Sequence, residues 1–270
     1  MVERDFVILG SGISGLTLAN ELLKKGCKVT LFEKNKFVGG LASTNLVNGF
    51  PIDTGPHIFH SAHTEIVDYW RDLVGNSLKK KDFYSGNFQD KKIYDYPINK
   101  ETMRSQYNET EIQIIEKELS KSNLEELSKS KNYYDYVKVL AGSYLSEKFF
   151  TKYPEKLWGL NTKNLSARFA PRRIEIREKR RPFHSGPGRF AGVIEDGCGF
   201  LAKRLSDNIK KLGGIINLNK EITSFTFSDG SHQKIDQILF KENVTLNTEK
   251  SIVISTLPIT TNADLFNLKT

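Results

Sequence analysis

Three glycines, an acid and two histidines carry the first chemical signal of this sequence. Gly10, Gly12 and Gly15 form G-x-G-x-x-G, with Ser11, Ile13 and Ser14 between them. Glu33, followed by Lys34, comes about 20 residues later. Each glycine has a job in holding a pyrophosphate. The first permits a tight turn, the second lets the backbone approach the phosphates, and the third lets a helix pack close to a strand. A carboxylate at the Glu33 position accepts hydrogen bonds from a ribose 2′-hydroxyl and repels a 2′-phosphate, so a dinucleotide other than NADP is expected. His57 and His60 follow in "GPHIFHS". Imidazoles there can polarise a cofactor or substrate oxygen. With no third ligand in sight, no metal is expected.

These residues need particular elements to position them. "DFVILG" reads as a buried parallel strand, apolar on both faces. From about Ser14 to Lys25, Leu16, Leu18, Ala19, Leu22 and Leu23 recur at helical spacing, and Gly26 is placed to end that helix. "KVTLFEK" is then a second strand with Glu33 at its end. The chain leaves this pattern near His60 and returns near Gly197. The stretch between reads as mostly helical: "HTEIVDYWRDLVG", "TEIQIIEKELSKS" and "YYDYVKVLAGSYLSEKFFTKY" have amphipathic patterns, and "DKKIYDYPIN" reads as a short strand or turn before a helix. After the return, "GGIINLNKEITSFTFSDG", "KIDQILFKENVTL" and "SIVIST" read as strands joined by turns. The expected fold is α/β: a Rossmann-like doubly wound sheet from residues 1–60 and 191–270, with a mostly helical substrate domain, 61–190, inserted.

Composition excludes several other classes. The 270 residues are 38% hydrophobic and hold no run long enough for a membrane helix. The start "MVERDF" has no apolar segment of a signal peptide, and only Cys27 and Cys198 occur, so a reducing cytoplasm is expected and a disulfide framework is not. The net charge is +8, but the lysines are spread along the chain, which reads as a solvated basic surface and not as a nucleic-acid interface. The positive balance fits an anionic small-molecule substrate.

A second glycine doublet, Gly39–Gly40, followed by Leu41 and Ala42, comes soon after Glu33. This doublet resembles that of the amine-oxidase-like FAD flavoproteins, where it brings the backbone close to the cofactor. "GFLAKRLSDNIKKLGGIINLNKEITSF" is similar to the family's helix and returning strand, which places the backbone near Ile222 against adenine. "GPHIFHS", with Gly55 and His57, resembles the flavin-side stretch of the UDP-galactopyranose mutases. "YPEKLWGLNTKNLSARFAPRRIEI" resembles their Y-x-x-K-x-W-G segment, with an arginine before isoleucine further on. The resemblance implies that Trp158 lines the sugar site and that Arg173 reaches the substrate diphosphate. It also implies that Tyr96, in "YDYPIN", belongs to the strand before the helical domain and contributes to the substrate side. After Ile176 the pattern departs: "REKRRPFHSGPGRF" replaces the aromatic and asparagine-rich stretch that helps hold uridine. Members of the family continue beyond the position of Thr270 to a Gly-Asp-type motif at the flavin ribitol, so the C-terminal part of the flavin domain is expected to be missing here.

The resemblance implies FAD as cofactor and a nucleotide sugar as substrate. It implies ring contraction through a flavin–sugar adduct with no net redox, the flavin itself being the nucleophile beside His57 and His60. Two alternatives stay open. One is an FAD-dependent oxidoreductase of the amine-oxidase or protoporphyrinogen-oxidase type, and the other is a non-catalytic flavoprotein fragment. Trp158 also fits an ordinary core position, and the arginines from Arg168 to Arg189, interrupted by Glu175 and Glu178, fit a solvated face as well as a phosphate clamp.

Overall fold

The computed structural model describes residues 5–172, 175–184, 186–227 and 234–268. Two compact units result, one of residues 1–81 with 188–270, the other of residues 82–187. The sequence expectation drew the boundaries at 60 and 191.

The first unit is built on a four-stranded parallel sheet. In spatial order its strands are Ile215–Asn217, Lys28–Phe32, Asp5–Leu9 and Ser251–Ser255. Such strands are apolar on both sides because both faces are covered, and the pleat shows which residue goes where. Ile8 and Leu31 point to one face, with Leu16, Ala19 and Leu23 of the helix Ile13–Lys24 and Leu201, Leu205 and Ile209 of the helix Gly199–Lys211. Val7, Leu9 and Phe32 point to the other. That second face is covered by an antiparallel sheet, Ile222–Thr226, Gln237–Phe240 and Thr245–Asn247, through Phe225, Ile238 and Phe240, and by Leu265 of the short helix Ile259–Leu265.

The amphipathic segment after His60 forms the helix Thr64–Val74 and belongs to this unit. Leu73 and Val74 join the helical core layer. Asn20, fully buried, donates from Nδ2 to the Tyr69 hydroxyl at 3.2 Å, and that hydroxyl donates to Glu21 at 3.1 Å, tying the two helices together. Burial, aided by Glu21 and opposed by the Asn20 hydrogen bond, pushes the Tyr69 phenol up to about 12. A small antiparallel sheet, Phe59–Ser61, Phe190–Ile194 and Leu78–Lys80, completes the unit.

The second unit is mostly helical, as expected. The hairpin Ser85–Gln89 with Lys92–Tyr96 leads through Ile98–Asn99 into the helix Lys100–Gln106, whose N-cap Asn99 accepts from the Thr102 amide. Helices Glu109–Leu119, Leu124–Lys129, Tyr133–Leu145 and Lys152–Trp158 follow. Asn108 and Glu111 form a reciprocal capping box at the start of the first of these. The core gathers Ile98, Met103, Ile112, Ile115, Val137 and Leu145.

Candidate functional site

The glycine turn sits between the first strand and its helix, as the spacing predicts. Gly10 has φ +96°, and its amide donates to the Phe32 carbonyl at 2.9 Å. A Cβ at Gly15 would lie 2.1 Å from the Gly10 carbonyl oxygen, so only glycine allows this helix-to-strand approach. Gly12 differs. A Cβ there would meet nothing within 4 Å, and the helix start that Gly12 caps has no side-chain hydrogen bond. Open space in front of uncapped amides is the arrangement that receives an anion.

Several expected residues converge on this turn. The Gly39 amide donates to the Ser11 carbonyl at 2.8 Å, and Gly12 and Gly39 bridge in parallel. A Cβ on Gly40 would lie 3.4 Å from the Gly12 Cα. The doublet therefore docks on the turn and continues into the short helical turn Gly40–Ala42, with Leu41 exposed. Glu33 is buried, and its carboxylate is fully engaged. One oxygen accepts from the Ser11 amide at 2.9 Å and hydroxyl at 2.8 Å; the other accepts from the Asn35 amide at 2.9 Å and side chain at 2.8 Å. Lys34 is exposed. The Asn219 and Lys220 amides donate to the carbonyls of Asn35 and Glu33, which brings the segment entering the strand at Ile222 alongside the acid.

Gly55 and His57 lie beyond the exposed hairpin Thr44–Val47 with Phe50–Asp53. His57 and His60 line one cavity of about 280 Å³ with Phe59, Trp70, Ile194 and Cys198. Phe59 and Trp70 stack at 4.1 Å. Arg189 Nη1 lies 3.3 Å from His60 Nδ1. Guanidinium can only donate, so Nδ1 accepts. Burial and then the Arg189 charge hold His60 below the ordinary imidazole value of 6.5. The folded state therefore binds fewer protons than the unfolded one as pH falls through that window. The contribution of His60 is present above 6.5 and is lost on acidification below it. Arg189→Gln should raise the His60 midpoint toward 6.5 in an NMR titration; a midpoint that stays put would show that Arg189 has no part in it. Burial, with Asp53 nearby, pushes the Cys198 thiol up to about 11.

The residues expected on the substrate side fall in the second unit. Tyr96 and Trp158 line a cavity of about 780 Å³ with Tyr133, Phe150, Tyr153 and Phe183, a size and lining suited to a small organic ligand. Trp158 is 44% exposed and packs on Phe169 at 5.4 Å, so it is a wall residue and not core. Arg173 lies outside the described residues. The arginines after it are engaged by acids. Arg177, buried, pairs with Glu175 at 2.8 Å, Arg181 pairs with the same acid at 2.9 Å, and Arg180 pairs with Asp95 at 3.1 Å. Arg177 also donates to the carbonyls of Arg181, Pro182 and Phe183. Sequence reading missed Asn35, Phe183 and Asp53. Asn35 was findable as a polar residue just past the acid; the others depend on tertiary placement.

The fold and the turn are Rossmann-like, and a family described as "NAD(P)-binding Rossmann-like domain" matches residues 8–73. The chain is 27% identical over 202 residues to a dTDP-fucopyranose mutase of Escherichia coli, covering 71% of this chain and 51% of that protein. It is 29% identical over 145 residues to a 1-hydroxycarotenoid 3,4-desaturase of Flavobacterium sp. (strain P99-3), covering 43% and 29%. A solved structure of reduced UDP-galactopyranose mutase superposes with a TM-score of 0.77 at 19% identity, over 97% of this chain and 57% of that one. The chain shares the fold of that mutase structure, and its residues 8–73 match a Rossmann-like nucleotide-binding family. It spans about half the length of the mutase relative it matches. No helix among the described residues is long and apolar enough to cross a membrane.

Proposed function

We propose that this chain carries the cofactor-binding and sugar-recognising parts of an FAD-dependent nucleotide-sugar mutase. The observation that carries the reading is the Gly39–Gly40 doublet docked on an uncapped Gly12 turn, joined to the kinship with a dTDP-fucopyranose mutase. Gly10 to Gly15 would hold the pyrophosphate, Glu33 the ribose, and the backbone near Ile222 the adenine. Gly39 to Ala42 and Gly55 to His57 would form the flavin side, with Lys34 at its rim. Bound and reduced, FAD would supply nucleophilic chemistry at the anomeric carbon, from which the nucleoside diphosphate would leave with the electron pair of the broken bond.

The residues of the chain bind and orient. Trp158 offers an aromatic wall to the apolar face of a sugar ring, and Tyr96 adds a second ring on the same cavity. Arg173 presents a two-pronged cation to the diphosphate, which lysine would do less well. His57 and His60 polarise oxygens at the flavin side. The desaturase relative supports a second reading, an FAD-dependent oxidoreductase.

Redox dependence separates the two. The purified protein is incubated with UDP-galactopyranose or dTDP-fucopyranose, with and without dithionite. The mutase reading expects furanose product only with reduced flavin and no acceptor consumed. Acceptor-linked turnover that stops on reduction would eliminate it.

A further inference from the structure

We propose that Asp53 is a positioning residue that fixes the tautomer of His57; the inference rests on reading His57 as a flavin-side group. Asp53 ends the second strand of the exposed hairpin. Its carboxylate is held from two directions. The Thr44 hydroxyl donates to it, and the Cys198 amide donates to both oxygens at 3.1 and 3.2 Å. The Gly199 amide in turn donates to Thr44 Oγ1 at 2.7 Å. Two glycines allow this approach to the start of the helix Gly199–Lys211. A Cβ at Gly197 would lie 2.4 Å from Thr44 Cγ2, and one at Gly199 would lie 2.7 Å from the Thr44 nitrogen. The acid is therefore locked in place by the Thr44 hydroxyl and the Cys198 amide before it meets any histidine.

What it meets is His57. Asp53 Oδ2 lies 3.6 Å from His57 Nδ1. That nitrogen is buried and has no hydrogen-bond partner among the described residues, although the ring as a whole is 31% exposed. A buried ring nitrogen without a partner costs free energy, and the fixed carboxylate is within a small ring rotation of hydrogen-bond distance. Sites of this kind often show long contacts without ligand that tighten when the site fills. Protonation at Nδ1 satisfies both groups, and it makes Nε2 an acceptor. His60 is set the opposite way, because Arg189 donates to its Nδ1 and leaves the proton on Nε2. One cavity is thus lined by one acceptor and one donor imidazole.

The test is long-range proton–nitrogen NMR of the imidazoles in this chain without cofactor, at about pH 8, where an ordinary imidazole is neutral. His57→Gln assigns the signals. His57 should be on the Nδ1–H tautomer, and Asp53→Asn should shift the tautomer ratio by roughly tenfold or more, the scale for a hydrogen bond to a charged group. Thr44→Val removes one of the two holds on Asp53 but keeps the carboxylate and the Cys198 amide, so it should move the tautomer ratio far less than Asp53→Asn; equal effects of both variants would mean Asp53 is only a cap, and would overturn the proposal. Should Asp53→Asn fail to fold, the wild-type spectrum still decides, since an Nε2–H tautomer for His57 refutes the idea. A cofactor titration on the same sample keeps the two readings apart: an Asp53-dependent tautomer in a chain that binds no FAD sinks the flavin reading and leaves the positioning intact.

Discussion

Arg173→Ala should lower kcat/KM for a nucleoside diphosphate sugar by about thirtyfold to several thousandfold, the effect of removing one partner of a desolvated charge pair worth ~2–5 kcal/mol. The segment holding Arg173 resembles the mutase stretch that contacts the diphosphate. The arginines just downstream are already committed: Arg177 and Arg181 to Glu175, and Arg180 to Asp95. A guanidinium already paired with a carboxylate has fewer donors left for an anion, so those three are poorer candidates for the diphosphate. On the proposed mutase reading both KM and kcat should respond, because the diphosphate would be bound before the bond breaks and would carry more charge as it leaves. Arg173→Lys should recover only part, since an ammonium has no planar fork. Steady-state kinetics on both variants checks this. Equal activity of the wild type and Arg173→Ala would remove Arg173 from the site.

Glu33→Ala should cost this chain roughly 2–4 kcal/mol of folding stability even with no cofactor present, from the range for buried donors left without an acceptor. The spacing of the sequence marks Glu33 as a ribose ligand. The structure gives it a second job: its two oxygens take four hydrogen bonds from Ser11 and Asn35, joining the glycine turn to the end of the second strand. A carboxylate has about four acceptor positions, so a ribose hydroxyl has to replace one side-chain donor. The Ser11 hydroxyl or the Asn35 amide can swing away, whereas the two backbone donors cannot. Loss of FAD affinity should then be modest, about 1–3 kcal/mol. Glu33→Gln should still destabilise, because its NH2 group would face two donors. Denaturant melts and FAD titration of the three proteins measure both effects. Unchanged melts in Glu33→Ala would contradict the bridging role.

The contrast between Glu33 and Asp53 shows how much the sequence reveals. Glu33 is legible because strand, turn, helix and strand lie in one local run, so distance along the chain becomes position in space. Asp53 is not, since the Cys198 amide that holds it is 145 residues away in sequence. The parallel strands Asp5–Leu9 and Lys28–Phe32 could be read from their apolar runs, and Gly12 and Gly39 from their spacing. The layer on the second face could not be foreseen. Phe225, Ile238 and Phe240 mark strands with a buried side, but an alternating pattern does not say what that side packs against. The helix Thr64–Val74 makes the same point. Its apolar stripe is plain, yet only tertiary structure shows that it joins the glycine-turn helix and not the helical unit. Trp158 was ambiguous for the opposite reason: a tryptophan suits a core or a wall, and only its exposure separates the two.

The buried guanidinium of Arg177 grips three successive carbonyl groups, those of Arg181, Pro182 and Phe183. Every residue type has a carbonyl, so this grip does not depend on which side chains the loop carries. Phe183 and His184 both face the aromatic cavity. Their identities can drift by mutation while the path of the backbone stays fixed. The cavity lining can therefore be retuned toward a different ligand one side chain at a time, with Arg177 and its partner Glu175 as the pair that such drift has to spare.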